Sequence, residues 1–263
     1  MLVGTSEAIR LLNIRSIHNL NNSYPSHFRF KQWLAGLIDG DGSFLLSKKG
    51  YASLEITMDI RDERALTAVK NVYGGSIKLR SGVRALRYRL HNKEGLLNLI
   101  NDVNGEIRNP IRLIQLNYIC VKYNISLKYP SKLTLNNARF SGFWDADGSI
   151  AINGGSNWQL SISASQKTSE MLTPLVELFG GYVYIDRGGN GCFKWYLTKK
   201  EDIINLIEYF KKYPSRSGKK ARLHLTPKFY LLKNLKAHIA PRESLLAKSW
   251  DTFMNKWNNY ESD

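Results

Sequence analysis

Hydrophobic and polar side chains alternate along residues 54–60, with Leu54, Ile56 and Met58 on one face and Glu55 and Thr57 on the other. A period of two indicates a strand with one buried face, and breaks of glycine, proline and asparagine separate this stretch from longer helical patterns. We predict further strands at residues 75–80, 86–91, 160–165, 181–187 and 192–198, and helices at residues 62–73, 94–102, 168–179 and 201–212, with a further helical segment after residues 102 and 212.

The chain contains this pattern twice. LAGLIDGDGSF at 34–44 resembles FSGFWDADGSI at 140–150, and the same offset of 106 pairs residues 54–66 with 160–172. After one inserted residue, LLNLI at 96–100 matches IINLI at 203–207. A repeat of this length indicates two tandem halves. We predict an α+β fold of two αββαββα halves, each with an antiparallel sheet, at residues 26–130 and 131–263 after an extension at 1–25; the first helix should begin near Ser26.

The charge balance points to a polyanionic partner. The 263 residues include 38 Lys+Arg and 22 Asp+Glu, a formal charge of +16, and the basic residues are interleaved with aromatic ones. A folded nucleic-acid binder fits this composition better than a ribosome-associated protein that is merely basic. The two cysteines form no CxxC pair, and no apolar run approaches the roughly 18 residues of a membrane span. Residues 1–25 fit either a transit peptide or a frayed extension.

One face of the later strands is polar. In the first half it carries cations and no acid from those strands, opposite Ile77, Leu79, Tyr88 and Leu90, whereas in the second half it is mixed. Lysine and arginine can neutralise phosphates, and a two-stranded ribbon fits the major groove of DNA. The alternative is a solvated sheet face. Our candidates for DNA contact are Ser47, Lys49, Lys78, Arg80, Arg87, Arg89, Ser163, Tyr184, Asp186, Lys194 and Tyr196.

Small residues four apart mark one face of each repeated helix, at Gly36 and Gly40 in the first half and at Gly142 and Ala146 in the second. Such pairs let two helix backbones approach closely. Packing the two helices together would bring the acids that follow, at positions 41 and 147, side by side at the helix C-termini.

Asp41 and Asp147 would be unfavourably placed there, because a helix C-terminus carries partial negative charge and the two acids repel each other. A divalent cation relieves both effects: Mg²⁺ is the expected ion, with Mn²⁺ or Ca²⁺ able to occupy the site, and the carbonyls of Gly40 and Ala146 are natural extra ligands. For a single copy, turn chemistry alone explains Asp-Gly. Two copies favour a metal site.

The paired motifs resemble the signature of the LAGLIDADG homing endonucleases in their single-chain form. The first copy is close to the consensus, and the second departs from it at Phe140, Ser141, Phe143 and Trp144. The resemblance covers roughly residues 28–235. It implies a pseudo-twofold saddle whose two four-stranded sheets lie in successive major grooves. It also implies cleavage of both strands of a long, asymmetric double-stranded DNA target, leaving 3′ overhangs.

The resemblance further implies roles at the active site. It assigns metal binding to Asp41 and Asp147. It also implies a polar residue after the second strand and a basic residue before the last helix, which in the second half are Gln166 and Lys219 (or Lys220). The first-half equivalents would be Ile60 and Arg108. Because isoleucine cannot orient water, we expect two chemically unequal active sites.

Two other functions remain open. The same family includes RNA maturases that assist splicing of their host intron, with intron RNA as the partner. A catalytically silent DNA-binding regulator is the other alternative. The retained acids favour cleavage over both. We expect a monomer that does not bind membranes, encoded in an organelle intron, since asparagine, lysine, isoleucine and tyrosine are abundant. The mitochondrion is the first choice and the chloroplast the alternative.

Overall fold

The computed structural model describes residues 27–155, 157–188 and 191–259, and within them two halves share one order of elements. The first half comprises α1 (27–41), β1 (Gly42–Leu46), β2 (Ala52–Asp59), α2 (Glu63–Tyr73), β3 (Ser76–Leu79), β4 (Ala85–Leu90), α3 (Lys93–Val103) and α4 (Pro110–Lys122). The second comprises α5 (Arg139–Asp147), β5 (Gly148–Asn153), β6 (Gln159–Gln166), α6 (Thr173–Phe179), β7 (Tyr182–Asp186), β8 (Cys192–Leu197), α7 (Lys200–Lys212), α8 (Lys220–Asn234) and α9 (Leu245–Asn258).

Each half contains a four-stranded antiparallel sheet. The strand orders are β1-β2-β4-β3 and β5-β6-β8-β7, so the two sheets have the same topology. This confirms the predicted α+β pair of αββαββα halves. The predicted extension 1–25 and the helix start near Ser26 lie outside the described residues. The boundary predicted between residues 130 and 131 falls between α4 and α5 and stays a prediction.

Two helices differ from the sequence prediction. α6 begins at Thr173 rather than at residue 168, because Pro174 has no N–H to donate and fits only the first turn of a helix. α9 was not predicted; it packs Trp250 and Phe253 against Phe229 of α8, with ring centroids 6.2 Å apart in both pairs. No helix in the described part of the chain is long and apolar enough to cross a membrane.

The register of the sheets corrects the alignment of the two halves. Leu54 of β2 pairs with Phe44, and Ile162 of β6 pairs with Ile150. Since Phe44 and Ile150 are 106 residues apart, β2 and β6 correspond at an offset of 108 rather than 106. The second hairpin is two residues longer. Because a shift of two preserves the side on which each residue points, the predicted faces of β2 and β6 were unaffected.

The helices α1 and α5 meet along their glycines. A methyl group at Gly36 would overlap the carbonyl oxygen of Arg139, and one at Gly142 would overlap the carbonyl oxygen of Trp33. Only glycine therefore allows this approach. The predicted packing of the two repeated helices against each other is confirmed, and it places their C-terminal ends together at the seam between the halves.

Candidate active site at the seam between the halves

Two buried acids, Asp39 near the end of α1 and Asp145 near the end of α5, hold the helix ends in place through hydrogen bonds. Asp39 accepts hydrogen bonds from the backbone of Asn109 (2.9 Å) and from Nε of Arg139 (3.0 Å). Asp145 accepts one from Nε1 of Trp33 (2.8 Å). Trp33 and Arg139 occupy equivalent positions in the two repeats. Each repeated helix therefore donates a hydrogen bond to the buried acid of the other helix. Asp39 and Asp145 therefore have a structural role as hydrogen-bond acceptors between the two repeated helices.

Asp41 and Asp147 lie at the C-termini of α1 and α5. Burial raises the pKa of Asp41 to about 7, and the charge of Asp147 adds to the rise. Burial also raises the pKa of Asp147 to about 6, although Lys219 and Gln166 act in the opposite direction. Within the described residues neither acid forms an ion pair, and no group donates a hydrogen bond to Asp41. The predicted pair of adjacent, unfavourably placed carboxylates is therefore present.

Asp147 has a polar partner and a nearby cation. Gln166 donates from Nε2 to Oδ2 of Asp147 at 2.5 Å. Lys219 donates from Nζ to the carbonyls of Asp145 (2.7 Å) and Ala146 (3.1 Å) at the end of α5. The structure thus places Lys219, rather than Lys220, at this site. Its ammonium group is held next to both acids, and burial lowers its pKa.

In the first half the corresponding cation is Arg112, which corrects the sequence prediction of Arg108. Arg112 donates to the carbonyl of Gly40 at 3.5 Å, whereas the Arg108 guanidinium donates to the carbonyl of Ser131. Arg112 and Lys219 are 107 residues apart, the same offset that relates α3 to α7. Asn109-Pro110 is a helix start signal, and it could have placed Arg112 in the first turn of α4.

The counterpart of Gln166 also needs correction. At the offset of 108 it is Met58, which is 4% exposed, and not Ile60, which begins a short 3₁₀ turn (Ile60–Asp62). Neither side chain can donate a hydrogen bond to Asp41. The expected inequality of the two sites therefore stands, with a different residue as its cause.

The donors at the seam suit a hard divalent cation. They are two carboxylates and the backbone carbonyls of Gly40 and Ala146, all oxygen atoms. The described residues contain no cluster of three or more His, Cys, Asp or Glu side chains that could hold a metal ion. Two carboxylates whose remaining partners would be water and phosphate oxygens match the coordination of Mg²⁺ better than that of a structural zinc site.

The raised pKa of Asp41 predicts how stability depends on pH. Between about pH 4 and pH 7 the folded state retains a proton that the unfolded state has lost, so stability falls as pH rises through that window. We expect the stability advantage of Asp41→Asn over the wild type to grow by roughly 1–3 kcal/mol from pH 5 to pH 8. Urea unfolding of both proteins in EDTA measures it; a constant difference would contradict the assigned burial.

The exposed face of the first sheet carries cations but also an acid. Glu55 of β2 pairs with Arg89 at 2.5 Å and with Arg87 at 3.6 Å. As predicted, β3 and β4 supply no acid to this face, but β2, which the prediction left out, adds Glu55. Lys78 and Arg80 remain exposed at its margin. The face stays positive overall, with two arginines held in place by the glutamate.

The second sheet presents tyrosines instead. The rings of Tyr182, Tyr184 and Tyr196 lie 5.8–6.1 Å apart, and Lys194 lies over Tyr196. Ser163 is only 6% exposed opposite Tyr196, so its selection as a contact residue is corrected. Leu79, predicted to face the core, is exposed on the outer strand β3, and Ile185 is exposed on the outer strand β7. The other candidates for DNA contact stay predictions.

Comparison with known proteins agrees with this architecture. A sequence profile described as "LAGLIDADG endonuclease" matches residues 34–105 and 140–230. The chain is 46% identical over 280 residues to the intron-encoded RNA maturase bI4 of Saccharomyces cerevisiae, covering 98% of this chain but only 44% of that protein. It is 39% identical to the intron-encoded DNA endonuclease ai2b of Dictyostelium discoideum, covering 88% and 90%.

Solved structures show the same fold at low identity. The meganuclease I-AabMI bound to uncleaved DNA matches with a TM-score of 0.65 at 18% identity, over 89% of this chain and 99% of that one. I-SmaMI bound to uncleaved DNA with calcium ions matches with a TM-score of 0.65 at 19% identity, over the same shares. From the profile and the two relatives together, the chain belongs to the LAGLIDADG endonuclease family.

Proposed function

We propose that this chain is a site-specific homing endonuclease that hydrolyses both strands of a long, asymmetric double-stranded DNA target. Divalent metal ions held by Asp41 and Asp147 support the reaction, and the products carry 3′ overhangs. The observation that carries the proposal is the pair of buried, adjacent carboxylates at the seam, neither of which is ion-paired within the described residues.

The surrounding residues have separable roles in this proposal. A divalent ion bound to the two acids would polarise a phosphoryl oxygen and lower the pKa of a bound water. Gln166 fixes the orientation of the Asp147 carboxylate. Lys219 and Arg112, held at the ends of α5 and α1, supply positive charge where a phosphate becomes more negative during hydrolysis. No side chain needs to act as a covalent nucleophile.

Selection of cleaved sites from a randomised DNA pool tests the proposal directly. In Mg²⁺ we expect one long, non-palindromic sequence to be enriched among products with 3′ overhangs. EDTA should abolish the enrichment. Cleavage that persists in EDTA, or enrichment of no sequence, would contradict the proposal.

The inequality of the two sites gives a further prediction. Gln166→Met makes the second site resemble the first, where Met58 stands. Losing one hydrogen bond to Asp147 should slow the strand cut at the second site by about tenfold, toward the rate at the first site, and leave the rate of the other strand unchanged. A linear duplex labelled on both strands gives the two rates.

Gln159→Met, at the exposed opposite end of β6, is the matched control and should leave both rates unchanged. Equal slowing of both strands by Gln166→Met would show that Gln166 serves the fold rather than one active site.

The RNA maturase remains the second candidate, because a maturase of Saccharomyces cerevisiae is 46% identical to this chain. An Asp41→Asn/Asp147→Asn protein separates the two functions, since assistance to splicing needs an RNA surface but no metal-binding acids. Splicing assistance that survives both substitutions would establish the maturase. Loss of cleavage in the same protein would establish the nuclease independently.

We also propose a monomer encoded in a mitochondrial intron. The chain itself supplies both halves of the seam, so no second copy is needed to complete the site. The intron-encoded relatives and the abundance of asparagine, lysine, isoleucine and tyrosine support the organelle origin.

A further inference from the structure

A basic cleft of about 560 Å³ opens beside the seam, between the start of α2 and the segment 214–218 that leads into α8. Its lining includes Arg61, Arg64, Lys220 and His224, and none of the described lining residues is acidic. Two acids beside the cleft are engaged: Asp59 pairs with Arg61, and the buried Asp62 accepts a hydrogen bond from the backbone of Gly218 at 2.7 Å. The lining is therefore positively charged, with Arg64 and Lys220 exposed to solvent.

An apolar slot of about 180 Å³ adjoins this cleft between α7 and α8. Ile207, Phe210, Leu223 and Pro227 line it, and the slot shares Lys220 and His224 with the basic cleft. Its mouth is therefore cationic and its depth is hydrophobic. The combined groove, called here the lateral groove, lies outside both sheets and does not include Asp41 or Asp147 among its lining residues.

The chemistry of the lateral groove matches an unpaired nucleotide. Phosphates interact with cations, whereas a base that has left its stack gains from contact with apolar and aromatic side chains. Duplex DNA keeps its bases stacked inside the helix and can offer the slot nothing. We propose that the lateral groove binds single-stranded nucleic acid, with backbone phosphates at Arg64 and Lys220 and an unpaired base in the slot.

The opposite flank of the molecule differs in character. The corresponding cleft, of about 510 Å³, lies between β6 and the start of α4 and contains Asp147 and Glu170 together with Arg112 and Lys167. Its charge is mixed, and it belongs to the active site described above. The two flanks therefore differ in charge, and on the basic flank the adjoining apolar slot, which a stacked duplex cannot fill, indicates a ligand with an unpaired base. This inference does not depend on whether the chain cleaves DNA.

Binding measured in EDTA tests the lateral groove separately from cleavage. The probes are fluorescent 12-nucleotide single-stranded RNA and DNA, a 12-nucleotide abasic strand and the selected duplex target. For the wild-type chain we expect the base-bearing strands to bind at least about fivefold more tightly than the abasic strand. We also expect the unlabelled duplex to displace them poorly. Stronger binding of RNA than of DNA would identify RNA as the source of the unpaired nucleotide.

Charge reversal at exposed positions locates the site. Arg64→Glu/His224→Glu should weaken binding of the single strands at least about tenfold at 0.1 M salt and that of the duplex less than about threefold. Arg80→Glu/Ser81→Glu, in the turn after β3 of the first sheet, makes the same charge change. It should weaken duplex binding at least about tenfold and single-strand binding less than about threefold. The milder Arg64→Gln/His224→Gln provides a second variant if the first folds poorly.

Three outcomes would overturn the inference. One is equal binding of abasic and base-bearing strands, which would show that no base binds in the slot. Another is equal loss of duplex and single-strand binding in Arg64→Glu/His224→Glu, which makes the groove part of the duplex path. The third is unchanged single-strand binding in both groove variants.

Discussion

Asp41→Asn and Asp147→Asn proteins should each cleave the selected DNA target at least about a thousandfold more slowly than the wild type, a loss of about 4 kcal/mol of transition-state stabilisation. Asp39 and Asp145 already accept hydrogen bonds from Arg139 and Trp33, so removing the charge of Asp41 or Asp147 leaves a divalent ion with half of its acidic ligands. Cleavage rates in saturating Mg²⁺, measured on a linear duplex, give the comparison.

The same substitutions should make the protein more stable in the absence of metal. Both acids have raised pKa values because they are buried, and asparagine has nearly the same shape without the charge. Loss of cleavage combined with a higher melting temperature in EDTA cannot come from unfolding. Asp251→Asn, on the surface of α9, is the control and should change neither property.

Wild-type melting should also rise with Mg²⁺, whereas melting of the asparagine variants should respond little. An Asp41→Asn protein that cleaves at the wild-type rate would remove the proposed metal site. An Asp41→Asn protein that is inactive but clearly destabilised would instead assign Asp41 to the fold.

The sequence predicted the centre of this molecule better than its periphery. Gly36 and Gly142 leave so little freedom at the helix contact that their spacing alone places Asp41 beside Asp147. The alternation of β2 likewise fixes which face is buried. These features follow from local periodicity and from steric exclusion, both of which can be read from a single chain.

Features set by pairing between elements were less accessible. The two extra residues in the second hairpin shift β6 without changing which residues are buried. The alignment by sequence therefore matched Gln166 to Ile60, whereas the paired strands match it to Met58. Glu55 lies on a strand adjacent to the arginines, and only the sheet order brings them together. Both points depend on how strands pair, through register for Met58 and through strand order for Glu55, and side-chain type alone determines neither.

The other large effect concerns stability. Arg139 is 1% exposed and donates to the fully buried Asp39, and its backbone packs directly on Gly36. Arg139→Met should cost about 3–5 kcal/mol, because it leaves a buried carboxylate without its cation. That is a large part of the roughly 5–15 kcal/mol that holds a typical domain together. Urea unfolding at pH 7 measures the loss.

Two further variants distinguish charge from packing. Lys211→Met breaks the pair with Glu208, whose side chains are 64% and 60% exposed, and should cost less than about 1 kcal/mol because water screens that pair. Arg139→Met/Asp39→Asn removes both buried charges and should recover a substantial part of the stability lost in the single variant. If the double variant is no more stable than Arg139→Met alone, the arginine contributes by filling space between α1 and α5. The hydrogen bonds that each repeated helix donates to the acid of the other would then not be what stabilises the seam.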